Sequence, residues 1–324
     1  MNISVLGCGR WGSFIAWYLS RRGNAVISWG PEGDPSYEVL KATGRNEYVT
    51  LDERITLTCD LERAVTSAEI VVISISSQGL RGFMQRIMQF PVQSKVFVLC
   101  IKGIETGTGK RLSEILVESG VPSQNIAVWV GPGHIQSFVQ GVPNCMVIDS
   151  ENEQLKKRLV GEFKSDLIRF YYGNDLLGTE IGAAAKNVMG IAAGVLDVVC
   201  IPLKGPLMSR GAREVARLIK AMGGNELSAY GLAHLGDYET TLFSPYSHNR
   251  KYGEMLAKGQ RFEKLAEGVA TSKAMKLLGE RYGVDLPITE AVYHVCYEEG
   301  NDAERCKQEI AKLFNRSTKA ELDD

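Results

Sequence analysis

The chain's 324 residues, 44% of them hydrophobic, are enough for two ordinary globular cores. Lys and Arg number 37 against 38 Asp and Glu, a balance that gives no net field to attract nucleic acid or an anionic membrane. No apolar run approaches the roughly 20 residues of a membrane span, and seven scattered cysteines without a C-x-x-C pair imply free thiols in a reducing, cytoplasmic setting rather than a disulfide scaffold or a metal site.

The first residues run directly into a strand, without a signal-peptide pattern. Asn2–Leu6 is short, apolar and rich in β-formers. Gly7-Cys8-Gly9-Arg10-Trp11-Gly12 follows, then a helix-length stretch from Ser13 to Arg22 closed by Gly23. Strand, G-x-G-x-x-G and helix in that order are the physical recipe for a dinucleotide site. Gly7 makes the turn, Gly9 admits a pyrophosphate to the backbone, and Gly12 lets helix and strand touch. The helix N-terminus adds free N–H groups and a partial positive charge. A glycine turn without a ligand is the plainer reading, and its place at the head of a βαβ unit weighs against it. Ala25–Trp29 reads as a second parallel strand. Beyond it Glu32 is the candidate for a ribose, with no Arg adjacent for a 2′-phosphate, which favours NAD over NADP. A solvated loop acid is the competing reading of Glu32.

Residues 69–75 and 95–101 are almost wholly apolar strands, as expected where both sheet faces are covered. The first runs into the polar loop Ser76-Ser77-Gln78, and the second delivers Lys102 at its C-terminal end. Ligands of open α/β sheets lie beyond such ends, so Lys102 is a site candidate, with solvated surface as the alternative. Residues 126–130 and 144–148 add two more strands, and the alternation to about residue 175 predicts a doubly wound sheet. From Asp175 helical periodicity takes over. The boundaries follow: a nucleotide-binding domain over 1–178 and a helical domain over 179–324. In the helix predicted over 182–197, Ile181, Ala184, Val188, Ile191 and Val195 form one apolar stripe, while Lys186 and Asp197 lie on another face. Its glycines permit very close packing, and a lysine held there would lose hydration and become a usable base. A surface lysine is the other reading. Pro206–Met222 reads as a helix, Gly231–Asp237 as a glycine-bracketed turn presenting an acid, and Ser247–Lys251 as a cationic loop suited to an anion. Helices broken near Gly283 and Pro287 fill 262–314, and 319–324 reads as a frayed tail. His234, His294 and the cysteines have no ligand-like spacing and read as structural.

Several separate stretches together resemble one family, the bacterial-type NAD(P)-dependent glycerol-3-phosphate dehydrogenases. They are Gly7–Gly12, Ser77–Arg81, Lys102–Glu105, Lys186–Val188, Ser209–Gly211, Gly231–Asp237, Asn249–Arg250, Glu267–Val269 and Pro287–Tyr293. They keep the family's order over nearly the whole chain. The resemblance implies an α/β Rossmann doubly wound sheet followed by an all-α C-terminal domain, with a substrate cleft between them. It further implies NAD or NADP as cofactor, a homodimer, and reversible oxidation of sn-glycerol 3-phosphate to dihydroxyacetone phosphate for membrane lipid synthesis. By matched position, Lys186 is the proton-transfer lysine, with Lys102 and Asp237 beside it. Thr241, His248 and Asn249 join Lys102 around the substrate. Gly7, Gly9, Arg10, Trp11, Gly12, Ser76, Gln78, Arg250 and Glu267 surround the cofactor, and no metal is implied. The chemistry agrees, because oxidising a secondary alcohol needs a base for the hydroxyl proton while hydride leaves.

The chain departs from the family pattern in three places. It has Ser247-His248-Asn249-Arg250 where the pattern is Ser-Arg-Asn-Arg, and imidazole lacks the fork that suits phosphate. It has Gly131-Pro132-Gly133-His134-Ile135 where the pattern is Gly-Pro-Ser-Phe-Ala, which makes His134 a candidate cleft residue. Between Asp197 and Arg210 it is about two residues short, with Pro202 and Pro206 in place of a glycine-rich stretch. A paralogue acting on another small polyol or hydroxy-ketone is therefore a second reading. A catalytically silent dinucleotide-binding protein is a third, disfavoured because such a protein has no use for Lys102, Lys186 and Asp237.

Overall fold

A computed structural model describes residues 1–298, 302–318 and 320–321, and the chain divides into two compact units. The first unit joins residues 1–101 to 112–176. It is built on one eight-stranded sheet in the order β3-β2-β1-β4-β5-β6-β7-β8. The strands are β1 (Asn2–Leu6), β2 (Ala25–Trp29), β3 (Thr56–Thr58), β4 (Ile70–Ile73), β5 (Val96–Leu99), β6 (Ile126–Val130), β7 (Asn144–Asp149) and β8 (Ile168–Tyr172). Between them run α1 (Arg10–Arg21), α2 (Pro35–Thr43), α3 (Leu61–Thr66), α4 (Leu80–Ile87), α5 (Leu112–Glu118), α6 (Ile135–Val139) and α7 (Glu153–Phe163). Every residue of β4 is fully buried, with Ile70 and Val72 in one apolar layer and Val71 and Ile73 in the other. The strand alternates sides, so an unbroken apolar run is what covering both faces demands. The expected doubly wound sheet is present, with one reversal: β7 runs antiparallel to β6. Gly131 opens the connection between them with φ +134°, and a Cβ there would meet the Met146 backbone at 2.9 Å; Gly133 and Gly141 on the same connection also have positive φ.

The second unit joins residues 102–111 to the chain from Leu177 onward. Its helices are α8 (Leu176–Val199), α9 (Lys204–Ala221), α10 (His248–Ala257), α11 (Glu267–Tyr282), α12 (Pro287–Tyr297) and α13 (Ala303–Phe314). The expected all-α region is thus present, and it also takes in the polar segment after β5. Ile104 of that segment is fully buried in this unit's core, Arg111 pairs with Glu180 at 2.8 Å, and Arg281 donates to the Thr108 carbonyl. Helix α8 is its central member, 24 residues long and buried nearly all round. Among the described residues it is the one helix long and apolar enough to cross a membrane, against the expectation of none. Its apolar surface is instead covered by the protein, which is how a helix without a polar face is ordinarily satisfied.

The glycines of α8 do what their placement predicts. A Cβ on Gly194 would lie 1.8 Å from the Arg250 carbonyl, and one on Gly253 would lie 2.1 Å from the Ile191 carbonyl. Helices α8 and α10 therefore touch backbone to backbone. Two further expectations are corrected. Residues 248–251 are no loop but the first turn of α10, capped by Ser247, whose Oγ accepts from Arg250 N. Helix α9 begins at Lys204 rather than Pro206, because a 3₁₀ turn over Ile201–Leu203 leads straight into it. The tail expected over 319–324 falls mostly on residues outside those described.

Candidate active site

The nucleotide-binding candidates of the first unit gather at the turn between β1 and α1. Strand β1 lies between β2 and β4, so the chain leaves it in opposite directions on either side. Such a switch point leaves a crevice beyond the strand ends, where ligands of this architecture sit. Gly7 has φ +111°, and a Cβ on it would meet the Ser74 carbonyl at 2.1 Å. On Gly12 it would lie 1.7 Å from the Gly7 carbonyl. Both glycines are required by the protein's own backbone. Gly9 differs: its φ is −69° and a Cβ would meet nothing within 4 Å. That open cradle at the α1 N-cap is where a pyrophosphate can approach, and a bare N-cap leaves the helix N–H groups to it. Arg10 and Trp11 belong to the same turn. Ser76 and Gln78 lie just past the end of β4, the strand paired with β1, so these candidates converge on one edge. Glu32 is exposed in the turn beyond β2.

This contrast gives a prediction. Gly12→Ala should cost at least about 2 kcal/mol in denaturant unfolding through overpacking. Gly9→Ala should unfold like the wild type yet weaken NADH binding tenfold or more in a fluorescence titration. Equal behaviour of the two variants would remove the assignment.

The catalytic candidates lie in the second unit. Lys186 projects from α8, and Lys102 opens the segment pinned by Ile104 and Arg111. Asp237 ends a 3₁₀ turn, Leu235–Asp237, that leads into a π-helical turn over Glu239–Phe243. Asp237 is 1% exposed, and its Oδ2 lies 2.6 Å from Lys102 Nζ and 2.9 Å from Lys186 Nζ. One carboxylate oxygen thus holds two ammonium groups. Its other oxygen accepts from the Thr240 hydroxyl, and Lys186 Nζ donates to Thr241 Oγ1 at 2.9 Å. Burial pushes Lys186 down to about 8, with Lys102 acting in the same direction and Asp237 resisting. For Asp237, burial alone would raise the carboxyl, but the two lysines outweigh it and hold it below its ordinary value.

His234 fixes this turn on the helix. Its ring is fully buried and bonds the Gly182 carbonyl through Nδ1 at 2.8 Å, one helical turn before Lys186. The carbonyl can only accept, so Nδ1 carries the proton and Tyr238 O–H donates to Nε2 at 2.7 Å. Burial pushes the imidazole down to about 4, so it stays neutral.

The remaining candidates divide. Asn249 Nδ2 donates to Asn187 Oδ1 at 3.0 Å, and its Oδ1 accepts from Gly268 N, so it clamps α8, α10 and α11 beside Lys186. His248 is half-buried at the start of α10, with its ring edge-on to Phe262. Arg250 and Glu267, expected at the cofactor, belong to the second unit. The Arg250 guanidinium is held by Asp197 at 2.6 Å, and Glu267 opens α11. His134 precedes α6 in the first unit. Thr240 carries no signal in the sequence beyond its place three residues after Asp237. Among the described residues no group of three His, Cys, Asp or Glu side chains is arranged to hold a metal.

Comparison with known proteins identifies the family. Residues 2–156 match the family model for the N-terminus of NAD-dependent glycerol-3-phosphate dehydrogenase, and residues 175–306 match the model for its C-terminus. A glycerol-3-phosphate dehydrogenase [NAD(P)+] of Prosthecochloris aestuarii is 34% identical, covering 99% of this chain and 100% of its own. One of Thermoanaerobacter sp. is 33% identical over 99% of each. The crystal structure of a glycerol-3-phosphate dehydrogenase from Coxiella burnetii superposes with a TM-score of 0.87 at 25% identity, covering 97% of this chain and 99% of that one. Two lysines sharing one buried carboxylate, a glycine turn at a sheet switch point and full-length likeness on both counts lead to one conclusion: the chain belongs to the NAD-dependent glycerol-3-phosphate dehydrogenase family.

Proposed function

We propose that this protein interconverts sn-glycerol 3-phosphate and dihydroxyacetone phosphate with NAD or NADP, using Lys186 as the proton-transfer group. The observation that carries the reading is the Lys186 ammonium held between Asp237 and Thr241 while burial brings it down to about 8. A bound nicotinamide supplies the acceptor or donor of hydride. In oxidation, neutral Lys186 takes the proton of the C2 hydroxyl as the C2–H bond breaks. In reduction, the ammonium gives that proton to the carbonyl oxygen, and charge developing there meets a cation already in place. Asp237 stabilises the ammonium form, and Thr241, as acceptor for one N–H, sets the direction of the others. Lys102, on the same carboxylate oxygen, adds the second positive charge beside the substrate oxygen.

His248 replaces a phosphate-binding arginine, yet it stands in the first turn of α10, whose N-terminus favours an anion. That placement supports the phosphate ester over an uncharged ketone. Free thiols and a near-balanced charge support the cytoplasm as the working compartment, and the family resemblance supports a homodimer, which light scattering would test.

NADH consumption by purified protein, with dihydroxyacetone phosphate and with unphosphorylated dihydroxyacetone in parallel, tests the reading. Saturable turnover with the ester alone is expected. Tight NADH binding without turnover of the ester would move the assignment to another hydroxy-ketone.

A further inference from the structure

Asp197, eleven residues beyond Lys186 on α8, holds two cations. Arg250 Nε lies 2.6 Å from its Oδ2, and Lys204 Nζ pairs with its Oδ1. Both cations also reach the end of the π-helical turn and the residue that follows it. Lys204 donates to the Leu242 carbonyl at 3.3 Å and sits 5.3 Å from the centre of the Phe243 ring. Arg250 donates to the Ser244 carbonyl at 3.3 Å. Residues 242–244 are thus fastened at three consecutive positions. On one side they continue from Thr241, the acceptor for Lys186. On the other they lead to Ser247, the cap of α10.

Lys204 is only 8% exposed, and taking an ammonium out of water costs several kcal/mol unless something repays it. Asp197 offers one negative charge to two positive ones, and the first turn of α10 adds a partial positive charge beside them. The excess favours an anion nearby.

We infer that Lys204 is a positioning residue for the anionic end of the substrate. With Arg250 it uses Asp197 as a shared anchor to hold residues 242–247, and through them the N-terminus of α10, in place for a phosphate ester. The inference rests on the function proposed above. Lys204 touches neither Lys186 nor Asp237, so its removal weakens the hold on the phosphate and leaves proton transfer alone.

The test compares Lys204→Met with Lys204→Arg. In Lys204→Met the KM for dihydroxyacetone phosphate should rise about tenfold, the effect of one charge at a partly screened site. Its kcat, its affinity for NADH and its kcat/KM for unphosphorylated dihydroxyacetone should stay within about threefold of wild type. Lys204→Arg should restore the KM to within about threefold. An unchanged KM in Lys204→Met, an equal loss with both ketones, or an arginine no better than methionine would each overturn the inference. Calorimetric binding of glycerol 3-phosphate gives a readout independent of turnover. A wild type that binds but does not turn over refutes the proposed reaction alone, whereas equal affinity of wild type and Lys204→Met refutes the role of Lys204.

Discussion

Lys186→Met should bind NADH as the wild type does and lose at least about a thousandfold in kcat in both directions. A positioned acid or base contributes roughly 10²–10⁴, and the same ammonium also faces the charge that develops on oxygen in reduction. Methionine keeps the length and the apolar packing of the lysine stem on α8, so the fold tolerates it. The wild-type pH profile follows from the same group. Lys186 sits at about 8 instead of the usual range near 10.4. Oxidation needs the neutral amine, so its kcat/KM should rise with pH up to about 8 and then level. Reduction needs the ammonium, so its rate should fall above that value. Both limbs should vanish from whatever activity the methionine variant retains. Residual activity above a tenth of wild type, with the limbs intact, would assign proton transfer elsewhere.

Such a prediction can be framed because the parts of the site on regular elements were legible in the sequence. The glycine turn, the apolar strands and the alanine- and glycine-rich helix each combine local propensity with a periodicity that burial on one or both faces explains. What escaped has physical reasons. Thr56–Thr58 is three residues of polar edge strand, and β8 exposes Arg169, Tyr171 and Tyr172, so neither carries the apolar run of a buried parallel strand. The antiparallel entry into β7 runs through Gly131, Gly133 and Gly141, all at positive φ, a geometry that periodicity does not encode. Ser247–Lys251 reads as a loop because its residues are polar, but a serine followed by polar residues is also how a helix starts, and the close packing of Gly253 on α8 decides between them. Thr240 and Lys204 were invisible for another reason. Each works through a partner distant in sequence or set by a turn geometry that periodicity does not encode. Arg250, which the family resemblance places at the cofactor, also bonds Asp197, a pairing across 53 residues that no local pattern reveals.

Asp237→Asn should lower kcat about a hundredfold or more and destabilise the chain by about 3 kcal/mol. The change removes the one negative charge between two ammonium groups while keeping shape, and breaking a buried pair on one side typically costs 3–5 kcal/mol. The amide fares poorly in the same place. If its oxygen keeps the bond from Thr240, its N–H₂ group points at the two lysines, donor against donor. If it flips, the Thr240 hydroxyl loses its acceptor. Asp237 is also what raises Lys186 against burial, so in the variant the oxidation limb should move below pH 8, and reduction near neutrality should suffer more than oxidation. The stability of the two proteins should diverge with pH in a defined way. The folded value of Asp237 lies below its ordinary one near 3.9. Its contribution is therefore complete above that ordinary value and disappears as pH falls through the lower, folded one. Wild type should show this acid slope in urea unfolding and Asp237→Asn should lack it. A variant within threefold of wild-type kcat/KM, with its limb still at about 8, would mean that Asp237 does not hold Lys186 in the working enzyme.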